Sequence, residues 1–243
     1  MKTAIVFKWC RDPQDARVTI DGSVKWGSAK MTASDDDPAA MDVARSLSDE
    51  SDIIGVTLGD GKPEWAAARG ASRTLVVSNF APQADGNLAA DAIKAAVEHA
   101  GGVDVVVIGD TDWDRSVAPA LAGKLGWPAF FGVTSAETDG DAVRLTCKGV
   151  DESRVVETST PILIAAKALE DERNVPGMKQ TLAARKKPVE KVTLEGLGVD
   201  RESSAASSGT RKPEGEPCTI IDGADPEQAA AKLVNALRGD GLL

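Results

Sequence analysis

Four short segments carry residue types at spacings with which a folded chain could hold a charged ligand. In Lys8-Trp9-Cys10-Arg11 an amine could neutralise a phosphate and an indole could stack on a base, or the aromatic could simply pack. Ser34-Asp35-Asp36-Asp37 could hold Mg²⁺, accept from ribose hydroxyls, or cap the helix that follows. Leu58-Gly59-Asp60-Gly61-Lys62-Pro63 is half of a dinucleotide fingerprint, with Glu64 where the third glycine would stand. The fourth, Gly109 to Pro119, runs from an apolar stretch through Asp110, Asp112 and Asp114 to Arg115-Ser116-Val117-Ala118. Backbone N–H groups at Ser116 to Ala118 would open a helix there, and such groups hold anions such as a nucleotide phosphate. The aspartates of that loop could equally be solubilising groups.

No GKS/GKT loop, GxSxG or HExxH motif is present, and the chain has a single histidine, His99. Cys10, Cys147 and Cys218 are far apart and odd in number, which gives neither a disulfide framework nor a CxxC site. No catalytic residue and no metal ligand set is therefore assigned.

The elements that must position these segments are legible as alternating strands and helices. Ile5-Val6-Phe7, residues 53–58, 74–77 and 103–108 are short β-branched runs of the kind buried on both faces of a parallel sheet. Helices are predicted at about 38–50, 63–70, 87–100 and 116–126, with Pro38 in a first turn and Asn87 as a cap. This alternation predicts an α/β doubly wound, mostly parallel sheet, with each ligand segment at a strand's carboxyl end. Residues 143–146 and 154–158 predict an antiparallel extension, and 161–165 a further buried strand. Residues 170–188 read as an exposed loop. The Ser/Gly/Pro-rich stretch 201–224 reads as a flexible linker between a domain over 1–200 and a C-terminal helical arm over 225–243.

Composition bounds the function. The 243 residues include 28 Lys and Arg against 38 Asp and Glu, for a formal net charge of −10, which disfavours nucleic-acid binding through phosphates. Apolar residues make up 42%, enough for a core. With no stretch of about 18 apolar residues and no signal-peptide pattern, a soluble, cytoplasmic protein without membrane insertion is expected.

Several of these pieces, in order, resemble the β subunit of electron transfer flavoproteins. They are the opening strand with Lys8, Lys30-Met31, Gly70-Ala71-Ser72-Arg73, Val106 to Gly109 with the Asp-rich loop, and Leu121 to Pro128. The most specific is Ala184-Arg185-Lys186-Lys187-Pro188 running to Leu197-Gly198-Val199-Asp200. The resemblance covers about residues 1–200. It implies a sheet of the adenine-nucleotide-binding type and a heterodimer with an α subunit that carries electrons from acyl-CoA or other flavin dehydrogenases to a respiratory or other acceptor. It further implies FAD held mainly on the α subunit and shared at the interface, with AMP or a second FAD in this chain. The nucleotide would be lined by Val6, Phe7, Lys8, Ser34, Asp37, Leu58, Gly59, Asp112, Asp114, Arg115, Ser116, Val117 and Ala118. Asn174 and Met178 occupy the place of the partner-recognition loop. This chain has Ser34-Asp35-Asp36-Asp37 for the family's Asn-Pro-aromatic-acid motif, and Val117-Ala118 for its Thr-Gly or Val-Gly. The alternative reading is a stand-alone nucleotide-binding regulatory domain of similar fold without a redox role.

Overall fold

A computed structural model describes residues 1–59, 61–80, 85–110, 112–140, 142–149, 151–169, 175–200, 208–212, 214–215 and 218–243. The chain divides into two units, Met1–Arg17 with Val24–Ser208, and Val18–Ser23 with Gly209–Leu243. Of the expected linker, residues 201–207, 213, 216 and 217 lie outside the described residues.

The first unit is built on one nine-stranded sheet. Its strands are β1 (Thr3–Val6), β2 (Ile53–Leu58), β3 (Arg73–Ser78), β4 (Val105–Gly109), β5 (Ala129–Asp139), β6 (Ala142–Lys148), β7 (Ser153–Ser159), β8 (Ile162–Ala166) and β9 (Val189–Thr193). They lie in the order β7-β6-β5-β8-β4-β1-β2-β3-β9. Every pairing is parallel except those of β6 with β5 and β7. The strand β1 sits centrally, with Ile5 opposite Gly55 on one side and Val107 on the other. The chain builds outward from β1 through β2 to β3, then crosses back to lay β4 on the other flank. The topological switch point therefore falls between β1 and β4, as a doubly wound sheet requires.

Side-chain alternation along the strands divides the core into two layers. Ile5, Phe7, Val105, Val107, Ile162 and Ile164 pack under helix α1 (Asp37–Leu47) and α2 (Glu64–Ala67). Ala4, Val6, Val106, Leu163 and Ala165 pack on the opposite face under α3 (Gly86–His99) and α4 (Val117–Leu125). Burial on both faces explains why these strands are continuous apolar runs.

Several local expectations are corrected. Asp85, not Asn87, caps α3, its carboxylate accepting from Leu88 N at 2.7 Å. The helix α2 is a single turn, capped at Ala68, whose N–H donates to the Glu64 carbonyl. Within residues 170–188, expected as loop, Met178–Ala184 forms the short helix α5. Two strands lacked the sequence pattern altogether. β5 runs from Phe130-Phe131 into small and polar residues and buries only Val133 and Ala136 fully, and β9 is an edge strand whose Val189, Glu190 and Lys191 are exposed.

The second unit holds helix α6 (Pro226–Gly239), capped by Asp225, whose carboxylate accepts from Glu227 N and Gln228 N. Among the described residues no helix is long and apolar enough to cross a membrane.

The close approach of α2 to the sheet depends on Gly55. A Cβ there would lie 2.8 Å from Ala66 Cβ and 3.1 Å from Thr74 Oγ1, neither of which can swing aside. Gly55→Ala is expected to cost about 1–3 kcal/mol, read as a lowered urea midpoint at unchanged slope.

Candidate functional site

The carboxyl ends of β1 and β4 flank the switch point, and the segments singled out in sequence meet there. Strand β1 leads into Lys8, whose Nζ lies 2.7 Å from Asp114 Oδ2 across the groove. Beneath it Asp37 is buried, and its Oδ2 accepts from Lys8 N at 3.1 Å and from Ser34 N at 2.9 Å. Gly109 at the end of β4 makes room for this carboxyl, since a Cβ would lie 2.9 Å from Asp37 Oδ1. Ser34 Oγ is beside the same group, near enough to favour its ionised form, but no atom meets it in hydrogen-bond geometry.

The Ser34–Asp37 run is neither a carboxylate cluster nor a conventional cap. Its acids diverge. Asp35 is exposed, and Asp36, at the N-cap position of α1, makes no capping bond. Instead Asp36 Oδ1 accepts from Ala168 N at 2.8 Å, and its Oδ2 lies 3.3 Å from Lys167 Nζ. Lys167 Nζ also donates to the carbonyl of Asp110 at 3.2 Å, while Asp110 Oδ2 accepts from Gly132 N at 2.9 Å. This second ring of contacts ties the ends of β4, β5 and β8 to the start of α1. Lys167 was not found by sequence reasoning. Its one signal is a charge directly after a buried strand, and nothing in the spacing relates residue 167 to residue 36. Among the described residues no three His, Cys, Asp or Glu could together hold a metal ion.

The loop into α4 differs from expectation in its side chains. Asp114 faces Lys8, and Ser116 Oγ donates to Asp114 Oδ1 at 3.3 Å. Arg115 turns away from the groove and clasps Asp112 Oδ1 through Nε at 3.0 Å and Nη2 at 2.7 Å, with both side chains more than two-thirds exposed. No side chain caps α4, and Val117 N donates to the Asp114 carbonyl at 3.3 Å. Val117 and Ala118 are themselves buried.

Of the remaining expected residues, Val6 and Phe7 lie in the core on opposite sheet faces, with Phe7 stacked on Trp65 at 4.9 Å. Leu58 and Gly59 close the neighbouring strand. Gly59 has φ +67° and its N–H donates to Val77 O at 2.8 Å, so that donor is already engaged. Met178 opens α5 with 82% of its surface exposed. Asn174 lies outside the described residues. Of two clefts of about 190 and 220 Å³, the first is lined in part by Lys167 and Ala168, the second lies beside α2 and α5, and neither includes Lys8 or the 112–118 loop. The site at the sheet end is therefore defined by the contacts of Lys8, Asp37 and Asp114.

Burial pushes the Asp37 carboxyl up to about 7, against the Lys8 and Ser34 N–H groups, the Ser34 hydroxyl and the Lys8 charge, which all pull it down. Burial likewise raises Asp36, with Ala168 N–H and Lys167 opposing. The folded chain keeps the Asp37 proton up to about pH 7, whereas the unfolded chain releases it near 3.8. Stability therefore falls as pH rises through that interval and is level above it. Asp37→Asn removes the ionisation while leaving an oxygen to accept from both N–H groups. It is expected to be the more stable form at pH 8, by at most on the order of 4 kcal/mol, with the gap closing toward pH 4. Urea midpoints of both proteins across that range check this, and a gap independent of pH would refute it.

The profile of the Electron transfer flavoprotein domain matches residues 28–197, well over half of the chain, spanning the sheet from α1 to just past β9. The chain is 27% identical over 128 residues to the electron transfer flavoprotein subunit beta of Bacillus subtilis (strain 168), an alignment covering 51% of this chain and 49% of that protein. It thus spans about half the length of that curated relative. The extent of that domain match shows the family: this chain belongs to the electron transfer flavoprotein domain family.

Proposed function

We propose that the chain is the β subunit of an electron transfer flavoprotein, an electron carrier rather than an enzyme in its own right. It would pair with an α subunit, accept electrons from an acyl-CoA or other flavin dehydrogenase, and deliver them to a respiratory or other acceptor in the cytoplasm. The observation that carries this reading is the domain match over residues 28–197, and the relative named as a β subunit supports it.

FAD would lie mainly on the α subunit, near this chain, where a flavin supplies reversible electron storage. This chain would hold AMP or a second FAD at the switch point. The residues fit a nucleotide phosphate. The start of α4 lacks a side-chain cap, so its N–H groups and the helix dipole favour an anion, and the Lys8 amine stands at the adjoining strand end. The roles of Ser34, Asp37, Leu58-Gly59 and the 112–118 loop are to shape that groove and fix its backbone. Met178, with Leu182 one turn on, gives α5 an exposed apolar face beside a charged segment, and Met is suited to adaptable docking on a dehydrogenase.

Two measurements test the reading. Co-expression with a candidate α subunit is expected to yield a yellow complex. Denaturing it should release one FAD and one AMP per complex, or two FAD. A colourless monomer that binds nucleotide would favour the regulatory domain instead. Within the complex, Met178→Ala is expected to slow electron transfer from the dehydrogenase several-fold while leaving flavin content intact. Unchanged transfer would remove Met178 from the docking site.

A further inference from the structure

We propose that Asp114 is a built-in competitor for anions at the switch point, a carboxylate that holds Lys8 against phosphate and so sets how tightly a phosphate-bearing ligand binds there. The inference rests on the nucleotide reading above for the identity of that ligand, but its physical content is local to this loop.

Asp114 alone engages three donors that an incoming phosphate would use. Its Oδ2 takes the Lys8 ammonium at 2.7 Å, its Oδ1 accepts from the Ser116 hydroxyl at 3.3 Å, and its carbonyl accepts from Val117 N at 3.3 Å, the first N–H of α4. Both ends of the ion pair are about one-third exposed, at 31% and 34%, so it is less screened than a fully solvated pair. Its electrostatic reach is visible at Cys10, where Lys8 lowers the thiol pKa and Asp114 raises it, beneath a larger effect of burial. The other cation of the loop does not compensate, because Arg115 is turned out onto Asp112. Asp114 thus lies where the charge of Lys8 and the start of α4 would otherwise act together on one anion.

An anion entering this groove must displace the Asp114 carboxylate from Lys8 or accept its repulsion. Inorganic phosphate brings nothing else to offset that cost. A nucleotide does, since base and sugar contacts do not depend on Lys8. Removing the charge of Asp114 while keeping its shape frees the ammonium and removes the repulsion together.

Titration calorimetry of the full-length chain, or of the complex with which it co-purifies, tests this with AMP, adenosine and inorganic phosphate. The proteins are wild type, Asp114→Asn, Asp114→Ala and the double variant Lys8→Gln with Asp114→Asn, each first checked for an unchanged melting transition. Both single variants are expected to bind AMP and phosphate roughly five- to tenfold more tightly at low salt, with the gain shrinking as salt rises. Adenosine affinity should not change, and the double variant should lose the gain. Equal or weaker phosphate and AMP binding in both single variants overturns the proposal, as does a gain that survives loss of Lys8. If phosphate binding rises in the single variants but neither AMP nor adenosine binds any of the proteins, Asp114 has the competing role and the nucleotide reading is what fails.

Discussion

The Asp37 carboxyl joins the first strand to the first helix at the point where the sheet changes direction. Its oxygen accepts from the backbone of Lys8 and Ser34, and it lies against Gly109 at the end of the next strand across the switch. Three segments far apart in sequence are thereby brought together around one buried carboxyl. The position of Lys8 follows from this, because its backbone is held from below while its side chain reaches over the groove. A buried acid is a costly way to make such a joint, and two N–H groups and a nearby ammonium oppose the desolvation without outweighing it.

The adjacent aspartate does a related job on the other side of the switch. Asp36 holds the backbone of Ala168 and the ammonium of Lys167, and Lys167 in turn reaches the carbonyl of Asp110. Consecutive residues at the start of one helix therefore tie together the ends of β1, β4 and β8. Neither acid caps α1 with its side chain, and the helix begins instead with Pro38 in its first turn.

Charge in this acidic chain is managed by local pairing. Lys8 with Asp114, Arg115 with Asp112 and Lys167 with Asp36 each place a cation at the carboxyl end of the sheet, and each cation is already matched. Of the paired carboxylates, Asp114 is the one lying between the Lys8 amine and the start of α4.

How much of this was legible beforehand follows from the physics of each element. The strands β1, β2, β3, β4 and β8 and the helices over them could be read because burial on both faces demands unbroken apolar runs, and helices between them demand a 3.6-residue period. Strands β5 and β9 escaped because half-exposed and edge strands carry no such demand, and α5 because a seven-residue exposed helix has no apolar stripe facing the core. The segments that converge on the switch point were likewise fixed by sequence, through strand ends and turn chemistry. Which side chains meet there was not. Lys8 and Asp114 are 106 residues apart, and Asp36 and Lys167 are 131 apart. Pairing across such distances is set by strand order and by the direction each loop leaves the sheet, so only the tertiary structure could decide that Asp114 stands against Lys8.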